Sequence, residues 1–142
     1  MHEKDTEELF SELKEDEDIH RFLARNKNEF CLPLHEYLGQ ILKEKKLERH
    51  QVVKDALLER TYGYHIFSGE KKNPSRTKLL SIALAMHLDL PETQKLLRYA
   101  GLGMLYPRNP WDSVIISAIQ KGLSVSETNI LLSQVGEKQM LG

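Results

Sequence analysis

Residues 60–80 read RTYGYHIFSGEKKNPSRTKLL: a glycine between two tyrosines, a turn rich in Gly, Lys, Asn and Pro, then an apolar helix pattern. Wound as a helix, Leu58, Tyr62, Gly63, Ile66 and Phe67 fall on one side, and Arg60, Thr61, Tyr64, His65 and Ser68 on the other. Each member of the second set can donate a hydrogen bond, whereas a face built only for solubility would use Glu and Lys. A short-reach, polar and aromatic stripe suits phosphates and base edges in a nucleic-acid groove. Glycine at 63 costs roughly 1 kcal/mol of helix propensity relative to alanine. Because it falls on the apolar side, its expected use is a close approach to the preceding helix, which tilts Tyr64 and His65 outward.

Working outward, the apolar spacing predicts short helices on both sides. Leu34, Tyr37, Leu38, Ile41 and Leu42 form a stripe over about residues 33–46, and Val52, Val53, Ala56 and Leu57 point inward from a helix over about 49–57. Ser75 is placed to cap the helix that carries Leu79, Leu80, Ile82, Ala83 and Met86. Asp89 with Glu92, and Ser124 with Glu127, have capping-box spacing, while Asn109-Pro110 opens a helix that Gly122 ends. Before residue 30, Leu9, Phe10 and Leu13, then Ile19, Phe22 and Leu23, mark two short acidic helices. No stretch alternates with period two long enough for a strand, so the expected class is all-α with about eight short helices. Short helices are marginal alone, so each must bury its stripe against others.

The net charge of −1 conceals an asymmetry: residues 1–30 hold ten acidic and five basic side chains, and residues 43–78 hold ten basic and five acidic ones. Cys31 is the only cysteine, which excludes an intrachain disulfide and a Cys-pair metal site and fits a reducing compartment. The start, MHEKDTEELF, lacks a basic segment leading into an apolar core, and no run of about 18 apolar residues occurs. The expectation is a cytoplasmic chain without a membrane partner.

Two helices joined by a tight turn, then the Gly-bearing loop, Asn-Pro-Ser and the run TKLLSIALAMHLDL, resemble the Cro/cI-type (Xre-like, lambda-repressor-like) helix-turn-helix regulators over about residues 34–98. The resemblance implies a five-helix core in residues 31–100, with an acidic helical extension (1–30) before it and a helical hairpin (101–142) after it. It also implies duplex DNA as partner, with the helix led by Arg60 and Thr61 as the reader and Tyr64, His65 and Ser68 further along it. Gln51 matches a region that touches the DNA backbone, and Lys71, Lys72 and Asn73 match a phosphate-contacting loop. The sequence departs from the family pattern in three places. Leu57 stands where a turn glycine is common, Gly63 where Ile or Val is common, and the loop from Gly69 to Pro74 is one residue longer.

The expected function is therefore a sequence-specific DNA-binding transcriptional regulator, the alternative being a protein-interaction adaptor on the same scaffold. Catalysis is not expected, since no nucleophile with a base, paired carboxylates or phosphate-cradling loop is recognisable. The six histidines never pair at helical metal-ligand spacing, so neither metal nor cofactor is expected. Apolar stripes in both terminal segments (Leu9, Phe10, Leu13; Val114, Ile115, Ala118, Ile119) have no evident intrachain duty and predict a homodimer, or another protein partner, through one of them. LYPRNPWD (105–112) reads as a rigid connector anchored by Trp111, with a binding surface as the alternative.

Overall fold

Several helix starts follow from local capping chemistry, whereas the helices Leu34–Lys45 and Arg49–Asp55 begin without a side-chain cap. The Ser75 side chain accepts from the Lys78 N–H, Asn109 from the Asp112 N–H, and reciprocal capping boxes join Asp89 to Glu92 and Ser124 to Glu127. The computed structural model describes residues 4–15 and 18–140. Among these the elements are α1 (Thr6–Glu15), α2 (Ile19–Arg25), a 3₁₀ turn (Lys27–Glu29), α3 (Leu34–Lys45), α4 (Arg49–Asp55), α5 (Arg60–Ser68), α6 (Arg76–Ala85), α7 (Leu90–Tyr99), α8 (Pro110–Lys121) and α9 (Val125–Gln134). The class is all-α, with nine α-helices and no strand among the described residues.

The chain divides into two compact units, Met1–Leu32 and Pro33–Gly142. In the first, Phe22 is the one buried apolar side chain among the described residues, packed edge to face on Phe30 with centroids 6.4 Å apart. Polar contacts hold α1 to α2. Lys4 Nζ donates to Glu12 at 2.9 Å and to Asn26 Oδ1 at 2.7 Å, and Arg25 Nε donates to Glu12 at 2.9 Å. The hydrogen bond from Lys4 holds the Glu12 carboxyl below its usual range.

In the second unit α6 is the hub. Every residue from Leu79 to Ala85 is buried, because α4, α7 and α9 pack around it. The one polar member of that run, Ser81, returns its hydroxyl to the Thr77 carbonyl at 3.1 Å. Residues after 100 share this core: Ile115, Ala118, Val125 and Leu132 are buried in the same cluster as Leu38, Ile66 and Leu79. The stripe on α8 expected to be free for a partner is therefore spent inside the chain, with Ile115, Ala118 and Ile119 buried and Val114 partly so. A bidentate pair fixes the start of α8. Arg76 donates to both carboxylate oxygens of Asp112 at 2.9 Å and to the carbonyls of Gly103 and Met104, while the Tyr106 N–H also donates to Asp112. Burial pushes the Asp112 carboxyl up, but Arg76 and the Tyr106 N–H outweigh it and hold it below its usual range.

Two side-chain amides hold the non-helical stretches of this unit. Gln94 donates to the Leu105 carbonyl and accepts from the Leu105 N–H at 2.9 and 2.8 Å, and Asn129 does the same to Met140 at 3.1 and 2.6 Å. Trp111, expected to anchor the connector, donates its indole N–H to the Lys138 carbonyl at 2.8 Å.

One inward assignment is overturned. Leu57 lies at φ +59° and is 51% exposed. The reason is the way α4 ends: the N–H of Leu57 reaches the Lys54 carbonyl and that of Leu58 reaches the Val53 carbonyl, a Schellman motif that puts Leu57 in the left-handed conformation and turns Leu58 into the core. Helical periodicity stops applying before Leu57 is reached.

Candidate nucleic-acid interface

α5 is capped by Glu59, whose carboxylate accepts from the N–H groups of Tyr62 (2.7 Å) and Thr61 (3.1 Å). Those bonds, the Tyr62 N–H first, hold its carboxyl below the usual range. The helix is seated by Gly63, Ile66 and Phe67, all buried. Gly63 meets α4 as its inward position required: a Cβ built on it would overlap Val53 Cγ1 and stand 3.0 Å from Cγ2. The outward stripe is left to Arg60, Thr61 and Ser68, which are exposed, and to Tyr64 and His65, which are half-buried.

Two guanidinium groups approach the ring of Tyr64, Arg49 Cζ of α4 at 5.3 Å from its centre and Arg60 Cζ at 5.7 Å. Beside it runs a groove of about 480 Å³ between α4 and α5, floored by Val53 and Leu58 and walled by His50, Lys54, Arg60 and Tyr64. No carboxylate lines it. Of the nearby acids, Asp55 is engaged by the Gln51 amide at 2.8 Å and Glu59 by the helix start, while a carboxylate oxygen of Glu48 stands 4.0 Å from His50 Nδ1. A concave strip with basic walls and an apolar floor can take a phosphate at its rim and a base edge or methyl group at its floor.

The candidates named from sequence divide by surroundings. Arg60 and Tyr64 belong to the groove, and exposed Thr61 adjoins Arg60 on the first turn. His65 Nε2 is 3.1 Å from Glu70 Oε2, and the Ser68 hydroxyl donates back to the His65 carbonyl at 3.3 Å, so both are engaged within the chain. Gln51 is likewise occupied by Asp55. Lys71 and Lys72 border a separate cavity of about 370 Å³ with Pro33, Leu34, His35 and Gly69, and Asn73 is exposed beyond it. Arg49, His50 and Lys54 of α4 were not singled out from the sequence. Their signal was the run RHQVVK within the basic window, where positions 50 and 54 are one helical turn apart.

Among the described residues no group of three or more His, Cys, Asp or Glu could hold a metal ion, and no helix is long and apolar enough to cross a membrane. No family of known proteins, no curated protein and no solved structure matches the chain.

Proposed function

We propose that the chain is a sequence-specific DNA-binding transcriptional regulator of the Cro/cI-type, acting as a homodimer, with α4 and α5 as its helix-turn-helix pair and α5 lying in the major groove. The observation that carries this reading is the basic groove beside Tyr64, lined by His50, Lys54 and Arg60 and by no acid. In this arrangement α4 supplies phosphate contacts through Arg49, His50 and Lys54, and the outward stripe of α5 reads base edges. Lys71 and Lys72, with His35 close by, would meet the backbone on the far side of α5.

The test is to select bound duplex fragments from the source genome, then compare the recovered site with a scrambled duplex over a salt series. Changing Arg60 and Tyr64 together to alanine should lower the preference for the selected site by about 1–3 kcal/mol for each base edge that is no longer read. If no duplex is retained at low salt by the folded chain, the reading fails and the same face becomes that of a protein-binding adaptor.

A further inference from the structure

The loop after α5 is one residue longer than the pattern the sequence resembles, and with the start of α3 it walls a cavity of about 370 Å³. Lys71, Lys72 and half-buried His35 bring nitrogen donors to this cavity, Pro33 and Leu34 bring apolar surface, and no carboxylate lines it. Glu70, the acid within the loop, lies 3.1 Å from His65 Nε2 instead. Among the described residues no acid pairs with Lys71, Lys72 or His35, whereas Lys45 is held by Glu92 at 3.0 Å and Arg76 by Asp112 at 2.9 Å. Lys71 Nζ has only the Tyr62 ring, 5.8 Å from its centre. Gly69 lies at φ +90°, and a Cβ built on it would stand 2.8 Å from His35 Nδ1, so glycine lets the main chain close on the imidazole. The Lys71 N–H donates to the His65 carbonyl at 2.9 Å, which fixes the loop where its lysines begin.

We propose that this cavity binds a small phosphate monoester, a dianionic head on an apolar or planar body, and that such a ligand competes with DNA for Lys71 and Lys72. Charge selects the head. Two ammonium groups without an acid partner match the charge of roughly −2 on a phosphate monoester better than the single charge of a carboxylate or a backbone diester. Shape selects the body. A duplex backbone is a convex ridge that meets lysine ends at the rim, whereas the surfaces of Pro33 and Leu34 are covered only by a ligand small enough to enter. The volume falls in the lower part of the range of small-molecule sites, about 300–1,000 Å³, which suits a body of one ring system. The binding is argued from the cavity alone, and the competition rests on the DNA reading above.

Chemical-shift titration of the full isotope-labelled chain with phenyl phosphate, inorganic phosphate and phenol, at constant ionic strength, tests the binding. Phenyl phosphate should saturate at millimolar concentration or below and move the amide signals of Gly69, Lys71 and Lys72. Inorganic phosphate should bind about fivefold more weakly, and phenol not measurably. Lys71→Ala with Lys72→Ala should weaken phenyl phosphate about tenfold or more. Lys43→Ala with Lys121→Ala, which removes the same charge from exposed positions elsewhere, should leave its affinity unchanged. Far-UV circular dichroism reports that each variant stays folded. No binding of phenyl phosphate, equal binding of inorganic phosphate, or equal loss in the two double variants would overturn the proposal. Phenyl phosphate should then release the selected duplex over the concentration range in which it fills the cavity, and binding without release would overturn the competition. Binding by a folded chain that retains no duplex would instead refute the DNA reading and leave the ligand site standing.

Discussion

Replacing Gly63 with alanine sets two effects of opposite sign against each other. In a helix interior, alanine is favoured over glycine by about 1 kcal/mol. Here the added methyl must share space with Val53, 3% exposed on the last full turn of α4, since the built Cβ overlaps Cγ1 and lies 3.3 Å from Val53 Cβ. A β-branched side chain has one strongly preferred rotamer in a helix, so it cannot swing aside and α5 itself must move. Overpacking of this kind costs about 1–3 kcal/mol, and the stiffness of Val53 favours the upper part of that range. The net expectation for Gly63→Ala is a loss of about 1–2 kcal/mol, or about 5 °C in the thermal midpoint. Val53→Ala alone should cost about 2 kcal/mol through the buried methyls it removes. In the double variant the new methyl fills part of that space and recovers its helix propensity. The pair should therefore be only about 1–1.5 kcal/mol less stable than wild type, a coupling of about 2 kcal/mol. Urea denaturation followed by Trp111 fluorescence and far-UV circular dichroism measures all three. If Gly63→Ala equals or exceeds wild type, or if the two changes simply add, close approach to Val53 is not what requires glycine at this position.

Asp112→Asn should cost about 2–3 kcal/mol, because Arg76 loses its charged partner while still held by the Gly103 and Met104 carbonyls. Since the folded-state pKa of Asp112 is depressed, its contribution is fully present above the unfolded value of about 3.9 and is lost as pH falls through the lower folded value. Wild type and Asp112→Asn should accordingly converge in stability in acid denaturation below about pH 4. Leu57→Gly should raise stability by about 0.5–1 kcal/mol by relieving the left-handed backbone, read as a higher midpoint in the same urea titration. Changing Lys71 and Lys72 to alanine should weaken binding to the selected and scrambled duplexes alike, and lower the salt slope by about one for each phosphate that is no longer neutralised; a selective effect at the selected site would contradict the backbone role.

What the sequence disclosed was what neighbours along the chain decide. The caps at Ser75, Asp89, Asn109 and Ser124 were readable because donor and acceptor lie within three residues of each other. The inward position of Gly63 was readable because helical periodicity fixes it. Periodicity puts Leu57 inward because it does not reveal where a helix stops, and a leucine in the left-handed conformation carries no local signal as a glycine would. The stripe on α8 looks free in the sequence because the helices that cover it belong to other parts of the chain. Arg76 and Asp112 are 36 positions apart, and nothing in either neighbourhood marks them as partners. In the candidate interface, the outward face of α5 was legible, whereas the contribution of His50 and Lys54 depended on how α4 packs against it.

The two amide clamps carry a consequence for how the chain after α7 can change in length. Gln94 and Asn129 each grip the main chain of one residue, Leu105 and Met140, while that residue's own side chain is buried, 4% and 3% exposed. Main-chain grip and side-chain socket must be satisfied by the same residue, so a slip of one position would present the socket with a neighbour whose side chain points away. Exposed Gly101, Gly103 and Gly136 lie between the helices and the gripped points, where an added Cβ meets nothing. Insertions and deletions should accordingly be excluded at 105 and 140, where the thread is pinned, and at 103 and 138, whose carbonyls Arg76 and Trp111 hold, leaving Gly136 as the place to absorb them.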